Sequence, residues 1–161
     1  MDKIIKIDEA IKVAREIREQ NNSIVLVGGC FDIVHVGHVR FLQKAKEQGD
    51  VLMILLESDE KVTELKGHGR PIHSQKERAE VLGAFSTVDY VIPLPIFTTD
   101  SEYENLVGKL FPNIIAVTEN DKGRTYKEHQ AQKVGGMVKT VIGRVQNKST
   151  SQIERLLQEK W

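Results

Sequence analysis

Residues 28–38 read GGCFDIVHVGH. His35 and His38 stand three positions apart, just after the glycine pair Gly28-Gly29 and around Gly37. Two imidazoles at that spacing could be structural or simply exposed, ligate a metal, or donate to an anion. A zinc site needs four ligands, commonly Cys and His. Cys30 is the only cysteine and the other histidines are scattered, so no nearby set completes one, and no metal site is assigned to protein ligands. The glycines let backbone approach a ligand closely. A helix opening near Gly37 would point free N–H groups and its positive dipole end at whatever lies over the loop, which makes an anion site. The chain has neither G-x-G-x-x-G at this position nor a Walker G-x-x-x-x-G-K-[ST], so the ordinary dinucleotide and P-loop readings are weak.

Other residues could serve the same chemistry. Lys66 lies in a polar stretch where most lysines are simply solvated. Arg144 precedes Ser149-Thr150-Ser151, which looks like the start of a terminal helix. Asp32, Arg70 and Arg78 read more simply as structural when taken singly: Asp32 capping its own turn, the arginines pairing with Glu77 or Glu80.

The elements around these residues alternate. Residues 8–20 carry Ile11, Ala14, Ile17 and Arg18 at helical spacing, with Asp8 and Glu9 in the first turn. SIVLVGG (23–29) is a continuous apolar run stopped by glycines, as for a strand covered on both faces. A helix over 37–48 follows, with Val39, Leu42, Ala45 and Lys46 at helix period, then a strand over 51–57. Ser74 and Glu77 form a capping-box pattern that opens QKERAEVLGAF. Strands over 89–94, 113–119 and 137–143 alternate with helices over 100–110 and 125–134, and a terminal helix starts from Ser149. The pattern predicts a single α/β domain over 1–161, a Rossmann-like, mainly parallel sheet of about five strands flanked by helices, with helix 8–20 appended in front. Ligands of such sheets bind beyond the carboxyl ends of the strands. Most of the residues above fall on those loops.

Composition is that of an ordinary globular chain. Of 161 residues, 40% are hydrophobic and 29% charged, and Lys+Arg and Asp+Glu are both 23. A formal net charge of zero gives no global field for nucleic acid, so a polyanionic ligand must be held locally. A lone cysteine, no apolar run of spanning length and no signal-like N-terminus lead us to expect a cytoplasmic protein without a membrane partner.

GGCFDIVHVGHVRFL resembles the signature of the HxGH nucleotidyltransferases, the cytidylyltransferase-like superfamily. Two further blocks are similar and in the right order: ELKGHGRPIHSQKERAEVLGAFSTVDYVI (64–92), and Arg144 to Ser151, where Lys148 replaces the family's usual isoleucine. The resemblance implies transfer of a nucleoside monophosphate from an NTP to a small phosphorylated acceptor, with release of pyrophosphate. It implies catalytic roles for His35, His38 and Lys66. It implies nucleotide binding by Gly28, Gly29, Cys30, Phe31, Asp32, Gly37, Arg144, Ser149, Thr150 and Ser151. It also implies Mg²⁺ held mainly by the NTP phosphates, and a homodimer as the assembly to test. Cys30 itself reads as a small packing residue.

Within the superfamily the chain looks most like the adenylyltransferase of ADP-heptose synthesis, which acts on a sugar 1-phosphate, and next like glycerol-3-phosphate cytidylyltransferase. AMP transfer to a sugar phosphate is therefore the leading expectation, CMP transfer to glycerol 3-phosphate or a similar phospho-alcohol the second. The fourth strand departs from both groups. They commonly end it with a K-G-x-D-like loop, whereas this chain has AVTENDKGR (116–124). Arg70, Glu119, Asn120 and Asp121 are candidate acceptor-binding residues, yet the two carboxylates would repel an acceptor phosphate unless they face hydroxyls, ribose or a cation. A reading of another class follows: a nucleotide-binding regulatory module that keeps the fold with weak turnover. A Rossmann dehydrogenase is disfavoured by the missing glycine fingerprint and substrate domain.

Overall fold

The computed structural model describes residues 2–143 and 150–158. Five parallel strands, β1 (Ile24–Gly29), β2 (Val51–Leu56), β3 (Tyr90–Pro93), β4 (Ile114–Thr118) and β5 (Met137–Ile142), lie in the order β3-β2-β1-β4-β5. The chain moves outward from β1 through β2 to β3, then crosses to β4 on the other side. The order therefore reverses at β1, where a doubly wound sheet opens its ligand crevice. This is the Rossmann-like α/β architecture that the alternating pattern predicts.

Among the described residues seven helices accompany the strands: α1 (Ile7–Glu19), α2 (Val36–Lys46), α3 (Asp59–Lys66), α4 (Gln75–Gly83), α5 (Asp100–Leu110), α6 (Arg124–Lys133) and α7 (Thr150–Gln158). One face of the sheet packs Ile24, Leu26, Met53, Leu55, Ile115 and Val117 against Ala10, Ala14 and Ile17 of α1, Leu106 and Val107 of α5, and Ala131 of α6. The other packs Val25, Val27, Leu52, Ile54 and Leu56 against Phe41, Leu42 and Ala45 of α2 and Ala79 and Leu82 of α4. Strands covered on both faces must be apolar at every position, hence runs such as VLMILL. Residues 3–5 add backbone hydrogen bonds to the outer edge of β3: Ile5 N–H to Val91 O at 3.0 Å, and Val91 N–H to Lys3 O at 2.8 Å. That covers an edge which would otherwise stay open.

The sequence reading needs three corrections. Helix α3 has no counterpart in it, so Lys66 ends a helix rather than lying in a loop. Ser58 caps α3 by accepting from Lys61 N–H at 3.1 Å, but Val62 is its only buried residue, which leaves no apolar stripe to read. In α2 it is Phe41, not Val39 or Lys46, that joins Leu42 and Ala45 in the core, while Lys46 reaches Asp89 at 2.6 Å. Arg70 and Arg78 pair with neither Glu77 nor Glu80. Glu77 closes the capping box with Ser74 instead, taking its N–H and hydroxyl at 2.8 Å.

Candidate functional site

The turn from β1 into α2 is shaped by two residues without freedom to change. A Cβ on Gly29 would lie 2.9 Å from the Phe31 ring. Phe31 adopts φ of 46°, unfavourable for a bulky residue, and is held there by burial at 5% exposure. Its ring centroid lies 5.1 Å from that of His38.

His35 is the N-cap of α2 and accepts from Gly37 N–H at Nδ1 (3.1 Å). His38 Nδ1 in turn accepts from His35 N–H at 3.4 Å, and the two rings stack at 4.0 Å. An imidazole nitrogen that accepts carries no proton, so each neutral ring keeps its proton on Nε2, on the far side of the ring. Burial lowers both histidines. For His38, burial together with the charges of His35 and Lys66 brings the value to about 4. Both rings are thus neutral at pH 7. The stacked rings set two Nε2–H donors side by side at the positive end of the α2 dipole, an arrangement suited to phosphate oxygens.

Lys66 is exposed at the end of α3, and its charge reaches both His38 and the half-buried Cys30. Burial pushes the Cys30 thiol up, so it stays protonated, as a packing residue should. Asp32 is 3% exposed and its oxygens are taken. Oδ1 accepts from Ile72 and His73 N–H at 2.7 and 3.1 Å, and Oδ2 from Arg70 Nε at 2.5 Å. Burial would raise this carboxyl, but those donors hold it below the usual range. Asp32 therefore caps the distant 70–73 turn rather than its own, and acts on a ligand only by positioning. Arg70, 6% exposed, continues to Glu154 of α7 at 2.8 Å, while its second terminal nitrogen has no partner among the described residues.

Arg78 is fully buried and serves the same corner. It donates to the carbonyls of Cys30 (2.5 Å), His73 (3.1 Å) and Glu57 (2.9 Å), and to Asp59 at 2.8 Å. It ties the ends of β1 and β2 to the starts of α3 and α4.

In the loop after β4, Asp121 accepts from Gly123 N–H at 2.9 Å and pairs with Lys127 at 2.8 Å. That cation offsets the repulsion the sequence raised for Asp121. Glu119 and Asn120 are exposed, and Asn120 turns the chain at φ 61°. Arg144 and Ser149 lie outside the described residues. Thr150 and Ser151 open α7, and Ser151 is exposed. Sequence reasoning missed Glu57 and Tyr103, whose hydroxyl donates to Glu57 at 2.9 Å. A carboxylate closing an otherwise apolar strand was the available signal.

The cytidylyltransferase-like family model matches residues 26–157, which takes in most of β1, the other four strands and both histidines. The chain belongs to the cytidylyltransferase-like family of nucleotidyltransferases. Among curated relatives it is similar to the "Bifunctional protein HldE" of Pseudomonas fluorescens, 38% identical over 156 residues, covering 93% of this chain and 31% of that protein. It is likewise similar to the protein of that name from Wolinella succinogenes, 39% identical over 160 residues, 98% of this chain and 31% of the relative. The chain thus spans about a third of the length of these relatives. Two of the solved structures that share the fold illustrate it. One is a lipopolysaccharide core biosynthesis protein from Thermoplasma volcanium, with a TM-score of 0.61 and 24% identity over 80% of this chain and 99% of that one. The other is a pantoate-beta-alanine ligase from Francisella tularensis, with a TM-score of 0.62 and 13% identity over 98% of this chain and 77% of that one.

Proposed function

We propose that this domain transfers a nucleoside monophosphate, AMP in preference to CMP, from an NTP to a small phosphorylated acceptor of the sugar-phosphate class, releasing pyrophosphate. The observation that carries the reading is the pair of neutral histidines at the start of α2, each fixed through Nδ1 so that Nε2–H is left to donate. The acceptor phosphate is already ionised at neutral pH, so its oxygen attacks the α-phosphorus without a strong base. As that bond forms, the bond to the β-phosphate oxygen breaks. His35, His38, Lys66 and the N–H groups of α2 offset the charge that develops.

Among the described residues no group of three His, Cys, Asp or Glu is placed to hold a metal ion. The donors at the site are lysine, imidazole and backbone N–H, which suit phosphate. Mg²⁺ would accordingly arrive on the triphosphate and supply charge compensation there. Similarity to the HldE proteins supports the sugar-phosphate class. A cytoplasmic location and a homodimer remain part of this reading. Among the described residues no helix is long and apolar enough to cross a membrane.

The altered loop after β4 favours one second reading, a module that binds nucleotide without turnover. A matrix of ATP and CTP against phosphorylated acceptors, read as pyrophosphate, separates the two. Release with ATP and a sugar phosphate is expected. Nucleotide-dependent thermal stabilisation with no pyrophosphate from any pair would replace the transferase by the binding module.

A further inference from the structure

The α1/α5/α6 face of the sheet carries a second polar spot at the carboxyl ends of β1 and β2, apart from the histidines. Met53 and Leu55 of β2 face this side and Leu52, Ile54 and Leu56 the other, so Glu57 continues the alternation onto it. Its N–H donates to Gly29 O at 3.1 Å, which fixes it beside the start of the histidine loop. Gly28 pairs with Leu55, and a Cβ placed on it would meet nothing within 4 Å, so this corner is open. Tyr103 reaches down from α5. Its hydroxyl donates to Glu57 Oε2 at 2.9 Å and its ring stands edge-on to Phe97 at 4.9 Å. Among the described residues Glu57 Oε1 has no hydrogen-bond partner.

We propose that Glu57 and Tyr103 are the acceptor-side specificity element: they hold neighbouring hydroxyl groups of a phosphorylated polyol whose phosphate lies toward Lys66 and the histidines. This rests on the nucleotidyl-transfer reading above. The surrounding charges choose the class. Burial pushes the Glu57 carboxyl up, and Tyr103, Lys61, Arg78 and Lys127 act against that, so no cationic group on the acceptor is required, and an ammonium would meet three like charges. A bare phosphate would be repelled by the carboxylate. Hydroxyls are neutral, can donate to Glu57 Oε1, and can donate to the Tyr103 oxygen, whose own proton goes to Glu57. Arg78 donates to the carbonyls of both Cys30 and Glu57, and Glu57 N–H to that of Gly29, so the polyol end lies beside the start of the histidine loop.

The test compares wild type with Glu57→Gln and Tyr103→Phe, both near-isosteric. Pyrophosphate release is followed with ATP and CTP against glycerol 3-phosphate, its deoxy analogue 3-hydroxypropyl phosphate, hexose 1-phosphates and phosphoethanolamine. Calorimetry measures binding of the same acceptors. Each variant should raise KM for a hydroxylated acceptor about tenfold, leave KM for the NTP within about twofold, and bring the preference for hydroxylated over deoxy acceptor close to one. A merely structural role would move both KM values together or neither, and either result overturns the assignment, as does a wild-type preference for phosphoethanolamine. Absence of pyrophosphate from every pair would remove the transfer reading alone. Calorimetry then decides: binding of a hydroxylated phosphate weakened about tenfold in Glu57→Gln sustains the assignment. Unchanged binding, or binding of none of the probes by wild type, ends it.

Discussion

His38 sits on a polar loop–helix junction with its Nδ1 committed to backbone and its Nε2–H free, so its removal should cost chemistry more than folding. His38→Ala should keep the native circular dichroism spectrum and lose about 10²–10³ in kcat, the usual loss for one transition-state donor. Near-normal turnover with the true acceptor would falsify its role. The same ring makes a statement about pH. Its folded value of about 4 lies below the ordinary value near 6.5, so between these the unfolded chain binds a proton that the folded one refuses. This group's contribution therefore makes stability fall as pH drops from about 6.5 to about 4 and level off below, with His35 acting in the same direction. Urea unfolding across that range should show a shallower fall for His38→Ala than for wild type. Parallel curves would mean that His38 titrates normally.

Two arginines do at the scale of elements what the histidines do at the scale of atoms. Arg78 gathers carbonyls from the ends of β1 and β2 and from the turn before α4, so losing it strands several buried acceptors at once. Arg78→Leu should destabilise the domain by about 3–5 kcal/mol in urea melts, as for other broken buried polar networks. A loss below 1 kcal/mol would show that water replaces it. Arg70 joins the β1–α2 loop, through Asp32, to α7, through Glu154. Glu154 is partly exposed and a glutamine there can still accept, so Glu154→Gln should change stability by less than about 1 kcal/mol. Since α7 opens with Thr150 and Ser151, loosening it should raise KM for the NTP severalfold with a smaller effect on kcat. Steady-state kinetics that leave the NTP KM unchanged would detach α7 from nucleotide binding.

For the whole molecule, a neutral chain that binds a polyanion must do so through a local cluster, and that cluster lies where the sheet order reverses at β1. Two sides of that reversal hold different chemistry. The α2 side presents the helix start and its two histidines, and the α5/α6 side presents Glu57 and Tyr103 beside the open Gly28 corner. If the divalent cation travels with the triphosphate, a chelator should abolish pyrophosphate release and leave the melting temperature of the nucleotide-free protein unchanged. A chelator-induced drop in that temperature would reveal a metal held by the protein itself.

The sequence by itself determined the fold class, because strands buried on both faces must be apolar throughout and glycines must end them where ligands approach. It also determined the histidine loop, whose residue types and spacing are local. It did not reveal α3, since one buried residue, Val62, makes no periodic stripe. Nor could it pair Asp32 with Arg70, Arg70 with Glu154, or Glu57 with Tyr103. These partners stand 38, 84 and 46 positions apart. Local periodicity says which face a residue takes but not which distant side chain meets it there. Only the closing of the sheet around β1 brings the carboxyl ends of the strands together, and that packing decided which charges were neutralised and which were left to act.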